Sequence, residues 1–302
     1  MNSQFTKQVD FLLRILPEVA KETDLALHGG SAINLFYFEM PRLSVDIDLT
    51  YLPFGARDKD LRQIKALLIR IKTQLLKIIP QIKIKGPKID VEDYKLYCSL
   101  DKTEVKIEIN TINRGVYHDI ELHHLRKKAQ DEFNRFCEMQ IVPLGQLFEG
   151  KIVAALDRQH PRDLFDFRKM MEVIGFTNDV SEGFLFCLLS SKRPVHEILR
   201  PSFIDHNSTL ISQFSGMTDE VFSYGMYGSS RELLVETVHK NLTPEAHELL
   251  LSFTDGQPKW GRFDYERFPG IQWKLLNIRK LKKQNPNKHL RQLFELEKAL
   301  RT

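Results

Sequence analysis

Apolar residues recur every three or four positions in residues 4–22 and again in residues 57–79, which predicts an amphipathic helix in each segment. Between these helices, the apolar run 25–28 ends at two glycines, and residues 45–52 alternate between apolar and polar. Such patterns are typical of strands, so we predict two strands there, with a short helix over 31–39 between them.

Three further β-like runs follow Pro80, at residues 81–86, 94–100 and 104–110. The last two flank Asp101-Lys102-Thr103, which predicts a hairpin turn.

The periodicity changes near residue 141, after which helical spacing dominates. The predicted helices of this part are 143–156, 161–173, 181–191, 229–240, 243–254, 270–283 and 287–301. We therefore predict an α+β chain in which residues 1–140 form a domain with a small mixed sheet and residues 141–302 form a mainly helical domain.

Composition is that of an ordinary folded protein, with 302 residues, 42% hydrophobic and 28% charged. The net charge of +4 permits a nucleic-acid partner without requiring one. Three cysteines, odd in number and distant from one another, argue against a disulfide framework and a structural zinc site. No signal peptide, membrane span or coiled-coil pattern is found in the sequence, so we expect a cytoplasmic monomer that does not bind membranes.

The first candidate site combines Gly29-Gly30-Ser31 with Asp46 and Asp48. The glycines lie between a predicted strand and a predicted helix, where backbone N–H groups can hold phosphates. Asp46 and Asp48 are two positions apart on one strand, so their carboxylates share a face and can bind divalent metal ions. The alternative is a polar strand edge that follows a glycine turn.

Glu108 is a second candidate, because it interrupts the otherwise apolar strand 105–109. A third carboxylate beside Asp46 and Asp48 would complete a metal site or act as a general base. The alternative is a solvent-exposed strand face.

A third group follows in residues 151–166. Lys151, Ala154 and Arg158 share one helix face, and Lys151 can reach a triphosphate as a point charge. Asp163 and Asp166 lie one turn apart on the next predicted helix. The alternatives are a solvated lysine, a partner of the helix dipole and a surface ion pair.

Together, the segments HGGSAINLFYFEMPRLSVDIDL, VKIEIN and EGKIVAALDRQHPRDLFD resemble the AbiEii/MenT family of nucleotidyltransferase toxins. The polymerase-β superfamily signature is matched at Gly30, Ser31, Asp46, Asp48 and Glu108. The family's later motif, KxxAxxxR followed by RDxxD, is matched at Lys151, Ala154, Arg158, Arg162, Asp163 and Asp166. Two departures are a long spacer between Ser31 and Asp46 and a third acid that is Glu instead of Asp.

The resemblance implies a polymerase-β-like N-terminal domain and a toxin of a type IV system, controlled by a cognate antitoxin. It further implies transfer of a nucleoside monophosphate from an NTP to RNA, notably the 3′ end of tRNA, which would block translation. A protein or small-molecule acceptor remains an alternative, as does a non-catalytic nucleotide-binding module.

The resemblance also implies roles for individual residues. Mg²⁺, or Mn²⁺ in its place, would bind Asp46 and Asp48, with Glu108 as third ligand or as base. The nucleotide would be held by Gly30, Ser31, Lys151 and Arg158, and Lys151 and Asp163 would take part in catalysis together with the three carboxylates on the strands.

Two basic segments are candidates for RNA binding: residues 57–79, with net charge +5, and residues 279–302, with net charge +6. A solvated helix face explains either one equally well. The aromatic stretch 260–273 can stack a base, although packing between helices is the simpler explanation. We expect no zinc site at His118, His123 and His124, and a core position for Cys98.

Overall fold

A seven-stranded mixed sheet organises the first of two units into which the chain divides. In the computed structural model, which describes residues 3–87 and 92–301, this unit comprises Met1–Pro143 and Ser215–Val221. The second unit comprises Leu144–Phe214 and Phe222–Thr302. The short segment 215–221 joins the first unit across a long stretch of sequence. The division into a nucleotidyltransferase domain, residues 1–140, and a helical domain, residues 141–302, stays a prediction.

The sheet has the order β3-β4-β5-β2-β1-β7-β6. Its strands are β1 Leu25–His28, β2 Asp46–Tyr51, β3 Lys83–Lys85, β4 Lys95–Leu100, β5 Thr103–Asn110, β6 Glu121–His124 and β7 Glu138–Ile141. Strands β2 and β5 pair in parallel, as do β1 and β7, and the other neighbours are antiparallel. The predicted hairpin is confirmed, with Asp101 in the left-handed region at φ 52°.

The helices of the first unit are α1 Ser3–Val19, α2 Gly29–Ser31, α3 Arg57–Ile78 and α4 Lys127–Phe133. Helix α2 continues as a π-helical turn, Ala32–Tyr37, in which the Phe38 N–H donates to the Ile33 carbonyl. The predicted bounds 31–39 were therefore wrong at both ends. The helical segment begins at Gly29 and ends at Tyr37, and its second part is a π-helix, which is wider than an α-helix.

Helices α1 and α3 pack on one face of the sheet. Strand alternation points Ile47, Leu49, Ile107 and Ile109 into this core, where all four are buried. The residues between them therefore point to the opposite face of the sheet, which places the polar site.

Strands β6 and β7 and helix α4 were not predicted. Each has only four to seven residues, and the side chains of edge strand β6 are exposed or half-buried, so no alternating pattern marks it.

The second unit is helical, as predicted, and the α+β class is confirmed. Its helices are α5 Leu144–Asp157, α6 Pro161–Val173, α7 Asn178–Ser190, α8 Val195–Leu199, α9 Asn207–Thr209, α10 Tyr224–Asn241, α11 Pro244–Asp255, α12 Pro269–Gln284 and α13 Pro286–Leu300. Four of them begin at a proline, which is already fixed in a helical φ. The short helices α8 and α9 were not predicted. Among the described residues, no helix combines the length and apolar character needed to cross a membrane.

Candidate active site

One face of the sheet in the first unit carries the predicted carboxylates side by side. Asp46 pairs in register with Lys106, and Asp48 pairs with Glu108, across the parallel strands β2 and β5. Register partners point to the same face, and all four residues are half-buried, so this face brings Asp46, Asp48 and Glu108 together as expected.

Gly29 fits directly against Asp48. It adopts φ +72°, a region that favours glycine, and a Cβ added to it would lie 2.9 Å from Asp48 Oδ2. The glycine turn thus permits a close approach of the backbone to this carboxylate. The sequence marked Gly29 as part of a turn, but the contact with Asp48 depends on how β1 and β2 pair.

Gly30 makes a second close approach, to two residues that sequence analysis missed. A Cβ on Gly30 would lie 2.6 Å from Ser44 Oγ and 2.9 Å from Arg42 Nη2. Arg42 is almost completely buried, and its Nη1 donates to the Leu43 carbonyl at 2.8 Å. A buried cation therefore lies beside the glycine turn. No periodic pattern marks the loop 38–45 that supplies it.

The Ser31 hydroxyl is hydrogen-bonded within the protein. It is buried, it donates its proton to the Asp46 carbonyl, and it can accept from the Ser44 hydroxyl, whose oxygen lies at 3.2 Å. These bonds tie the end of α2 to the start of β2 and so position Asp46. Nucleotide binding by Ser31 stays a prediction, and it concerns the backbone N–H, since the first N–H groups of a helix have no acceptor within the helix.

Glu108 lies between two lysines that sequence analysis did not select. Lys95 Nζ is 2.9 Å from Glu108 Oε1, and Lys106 Nζ is 2.9 Å from Oε2. Burial alone would raise the pKa of Glu108, but the hydrogen bonds and charges of both lysines lower it. Burial likewise opposes protonation of Lys106, but its bond to Glu108 and the charges of Asp46 and Asp48 raise its pKa.

A divalent cation fits the Asp46–Asp48 pair. Carboxylate oxygens are the ligands that Mg²⁺ and Mn²⁺ take, and the missing side chain of Gly29 leaves the Asp48 oxygen approachable. Within residues 3–87 and 92–301, no three His, Cys, Asp or Glu side chains form a ready-made metal site. Glu108 would have to exchange a lysine partner to become a third ligand.

The other predicted group lies in the second unit, where α5 and α6 pack together. Lys151 Nζ is 3.0 Å from Asp163 Oδ1 and 3.1 Å from Asp166 Oδ2, and Arg158 Nε is 2.7 Å from Asp163 Oδ2. The Lys151 side chain is only 13% exposed. It is therefore not a solvated lysine, and the two aspartates form a buried network with it.

The ionisation of Asp163 depends on the charges of Lys151 and Arg158. Burial alone would raise the pKa of Asp163, but Lys151 and Arg158 hold that pKa well below its usual range. Arg158 keeps more than half of its side chain exposed. Lys151 and Arg158 therefore both reach Asp163, and nucleotide binding by either stays a prediction.

The remaining expectations concern residues outside these clusters. His123 bonds Glu121, and His124 bonds Glu138, both at 2.8 Å, and the described residues hold no zinc-like cluster. Cys98 is buried, and burial raises the pKa of its thiol to about 12, as suits a core residue. Phe263, Tyr265 and Phe268 are buried in helix packing, whereas Trp273 is 49% exposed.

Comparison with known protein families gives one family whose model matches this chain. The family model described as "Nucleotidyl transferase AbiEii toxin, Type IV TA system" matches residues 10–225. Comparison with curated proteins by sequence gave no match.

Two solved structures are similar. MenT4, a nucleotidyltransferase toxin from Mycobacterium tuberculosis H37Rv, superposes with a TM-score of 0.59 at 11% identity, over 92% of this chain and 95% of that one. A putative nucleotidyltransferase from H. pylori gives a TM-score of 0.46 at 17% identity, over 80% of this chain and 97% of that one. At such identity, the similarity to MenT4 supports the fold alone.

The family match spans both clusters, the carboxylates on β2 and β5 and the Lys151 network on α5 and α6. This chain belongs to the AbiEii family of nucleotidyltransferase toxins of type IV toxin–antitoxin systems, and it is a nucleotidyltransferase.

Proposed function

We propose that this chain transfers a nucleoside monophosphate from an NTP to the 3′ end of an RNA acceptor, tRNA in particular, and thereby inhibits translation in the cytoplasm. A cognate antitoxin would restrain it. The observation that carries the chemistry is the placement of Asp46, Asp48 and Glu108 on one sheet face, against the glycine turn at Gly29.

Asp46 and Asp48 would hold Mg²⁺ or Mn²⁺. When bound there, the cation supplies neutralisation of the charge on the triphosphate. Gly29 and Gly30 would let the backbone approach the phosphates, and Arg42 adds a buried positive charge behind the turn. Ser31 would fix Asp46 through its carbonyl.

The transfer is an in-line displacement at the α-phosphorus. The acceptor hydroxyl oxygen forms a bond to that phosphorus, the bond to the β-phosphate oxygen breaks, and pyrophosphate leaves with the electron pair. The hydroxyl proton passes to a carboxylate or to water. Glu108 would act as third metal ligand or as this base.

The Lys151 network lies in the second unit, and its part in the reaction is proposed separately. By resemblance to the later family motif, Lys151 and Arg158 would bind the nucleotide and Asp163 would take part in catalysis. The short distances among these side chains support one shared function, because removal of any member leaves the charge of another unbalanced.

Label transfer tests the proposal. Purified protein, Mg²⁺, total tRNA and each α-labelled NTP in turn are incubated with wild type, Asp48→Ala and Asp119→Ala. Asp119 is an exposed aspartate outside both clusters and serves as the matched control. We expect label on tRNA with wild type and Asp119→Ala, and none with Asp48→Ala.

Other outcomes identify the alternatives. Label on a protein would replace the RNA acceptor with a protein hydroxyl. Full activity of Asp48→Ala would exclude the metal role of the Asp46–Asp48 pair. NTP binding without release of pyrophosphate, with tRNA from the native host, would indicate a non-catalytic module.

A further inference from the structure

A cavity of about 320 Å³ lies within the helical second unit. Its walls come from the segment 191–196, the end of α11, helix α12 and helix α13. Its volume lies within the range of about 300–1,000 Å³ that is typical of ligand sites. The aromatic side chain of Trp273 forms part of its wall. The proposed transfer reaction gives this cavity no role.

The cavity has apolar walls and three basic lining residues, of which Arg193 is ion-paired with Asp157 at 2.6 Å and with Glu197 at 2.8 Å, whereas Lys192 is exposed. Val195, Ile278 and Leu296 line it, together with Lys192, Arg193 and Lys274, and among the described residues no aspartate or glutamate does. The buried Thr254 Oγ1 also lines the cavity and has no hydrogen-bond partner in the described part of the chain. An anionic ligand with a flat apolar body complements such a site.

Lys274 gives the cavity wall a fixed shape. The lysine is buried, and its Nζ donates to the Leu188 carbonyl at 3.3 Å, to Ser191 Oγ at 3.0 Å and to the Arg193 carbonyl at 2.8 Å. All three protons are used, so Lys274 holds the 188–193 segment against α12.

Exposed lysines lie on three segments that also line the cavity. Lys280 lies one turn after the lining residue Asn277, and Lys288 lies one turn before the lining residue Gln292. Lys192 belongs to the wall itself. All three lysines are exposed, and none forms an ion pair within residues 3–87 and 92–301.

The other basic segment, α3, is partly neutralised by partners in the first unit. Arg70 pairs with Glu22 at 2.7 Å, Arg57 pairs with Glu92 at 3.1 Å, and Lys72 donates to the Gly86 carbonyl at 2.8 Å. The C-terminal segment 279–302 is neutralised in the same way: Lys282 pairs with Asp255 at 2.7 Å, Arg301 pairs with Glu297 at 3.9 Å, and the Arg279 side chain donates to a backbone carbonyl. The choice between the two basic segments therefore rests on the cavity and on Trp273, which adjoin the C-terminal one.

Trp273 supplies a stacking surface beside these charges. It lines the cavity and keeps 49% of its area exposed, although its neighbours Phe263, Tyr265 and Phe268 are buried. Aromatic side chains next to positive charges are the usual elements of single-strand binding, in which bases stack and phosphates pair with lysines.

We propose that the α11–α13 cavity binds single-stranded RNA, with a base stacked on Trp273 and the adjoining phosphates on Lys192, Lys280 and Lys288. This proposal rests on the proposed function only in taking RNA as the substrate class. Trp273 is here a binding residue and has no part in the transfer step.

RNA fits better than an acidic protein segment. A protein helix needs a long apolar groove, whereas this cavity has the volume of a small ligand and lies beside separate single lysines. Acidic protein is therefore the alternative that the test must exclude.

Binding is measured apart from chemistry, with full-length protein that carries Asp48→Ala. A fluorescein-labelled single-stranded RNA of about ten nucleotides is titrated, a length within the usual site sizes. The chain has two tryptophans, so Trp260→Phe leaves Trp273 as the only reporter of a stacked base. We expect RNA to quench its fluorescence.

Two sets of variants follow. Trp273→Ala should weaken binding by about 5- to 150-fold, and Trp273→Phe should retain most of it. The double variant Lys280→Gln, Lys288→Gln should reduce the salt slope of log Kd by about 1.4, whereas the exposed Lys102→Gln in the first unit should leave it unchanged.

Three results would overturn the proposal: RNA binding that is equal in Trp273→Ala and wild type, no quenching by RNA, or quenching by polyglutamate with none by RNA. Because Trp273 is half exposed, its truncation leaves no large core cavity, and circular dichroism confirms that the variants fold. Label transfer to tRNA is tested separately, so failure of one proposal does not decide the other.

Discussion

Asp48 on β2 and Glu108 on β5 are register partners on parallel strands, so both carboxylates point to the same face of the sheet. Their surroundings differ. Gly29 leaves space beside Asp48 Oδ2, whereas both oxygens of Glu108 accept from lysines, Lys95 and Lys106. The two acids are therefore not equivalent, and substitution of each should have a different effect.

If Glu108 supports metal binding, Glu108→Gln should raise the metal concentration needed for half-maximal transfer by at least about 10- to 100-fold, the range seen when a group that supports a metal site is lost. Its two oxygens are held by lysines, which makes Glu108 a better source of charge near the Asp46–Asp48 pair than an acceptor of the substrate proton. The measurement is initial rate against Mg²⁺ concentration.

Glu104→Gln is the control for this substitution, because Glu104 is exposed on the same strand and bonds Ser99. A loss of rate in Glu108→Gln with unchanged metal dependence would assign Glu108 to proton transfer instead.

Gly29→Ala should impair both stability and activity. The left-handed φ of +72° costs a non-glycine residue about 1–2 kcal/mol, and the new methyl group would push on Asp48 Oδ2. A shift of a reacting group by about 1 Å can lower a rate by about 100-fold. Urea unfolding and label transfer measure the two effects.

Gly175→Ala is the control that separates the backbone strain of a left-handed φ from the contact with Asp48. Gly175 has φ +82°, and no atom lies within 4 Å of an added Cβ. It should lose similar stability and keep its activity. If both variants were equally active, the contact between Gly29 and Asp48 would have no part in catalysis.

Asp163→Asn should destabilise the protein by about 3–5 kcal/mol, because it removes the buried carboxylate that pairs with both Lys151 and Arg158 and leaves Asp166 as the buried carboxylate beside Lys151. The pKa of Asp163 is lowered in the folded state, so its stabilisation is present above about pH 3.8 and is lost as pH falls below that value. Unfolding curves in urea over an acidic pH series measure both effects.

Asp157→Asn is the matched control on α5, because Asp157 pairs with Arg193 at the surface, where 41% of its side chain is exposed. An exposed pair contributes at most about 1 kcal/mol. Equal losses in the two variants would show that the Asp163 network contributes no more than a surface pair.

Lys274 should make stability depend on pH. Burial lowers its pKa to about 7 from the usual 10.5. Between these values the unfolded chain binds the proton more readily, so stability rises with pH, by up to about 2–3 kcal/mol from pH 7 to about pH 9. Lys274→Met should lack this rise, and thermal unfolding across the range measures it.

Lys240→Met, at an exposed lysine of the same unit, should keep the full rise. A Lys274→Met variant with the pH dependence of wild type would mean that Lys274 remains protonated through this range in the folded protein.

The sequence alone was sufficient to find the carboxylates and the main elements. Alternation on β2 and β5 placed Asp46, Asp48 and Glu108 on polar faces, because a strand has a period of two that depends only on local geometry. Helical spacing likewise located α1, α3, α5 and α6 to within a few residues. Strands β6 and β7 were not predicted, because four residues are too few to show the two-residue period of a strand.

Tertiary structure decided which groups meet. That Glu108 lies beside Lys95, that Arg42 is buried behind Gly30, and that Lys151 pairs with Asp163 all depend on register and packing between segments distant in sequence. Local periodicity carries no information on such pairs. The sequence thus determined which side chains are available for chemistry, and the fold determined their partners, because charge and burial depend on neighbours that only a folded chain brings together.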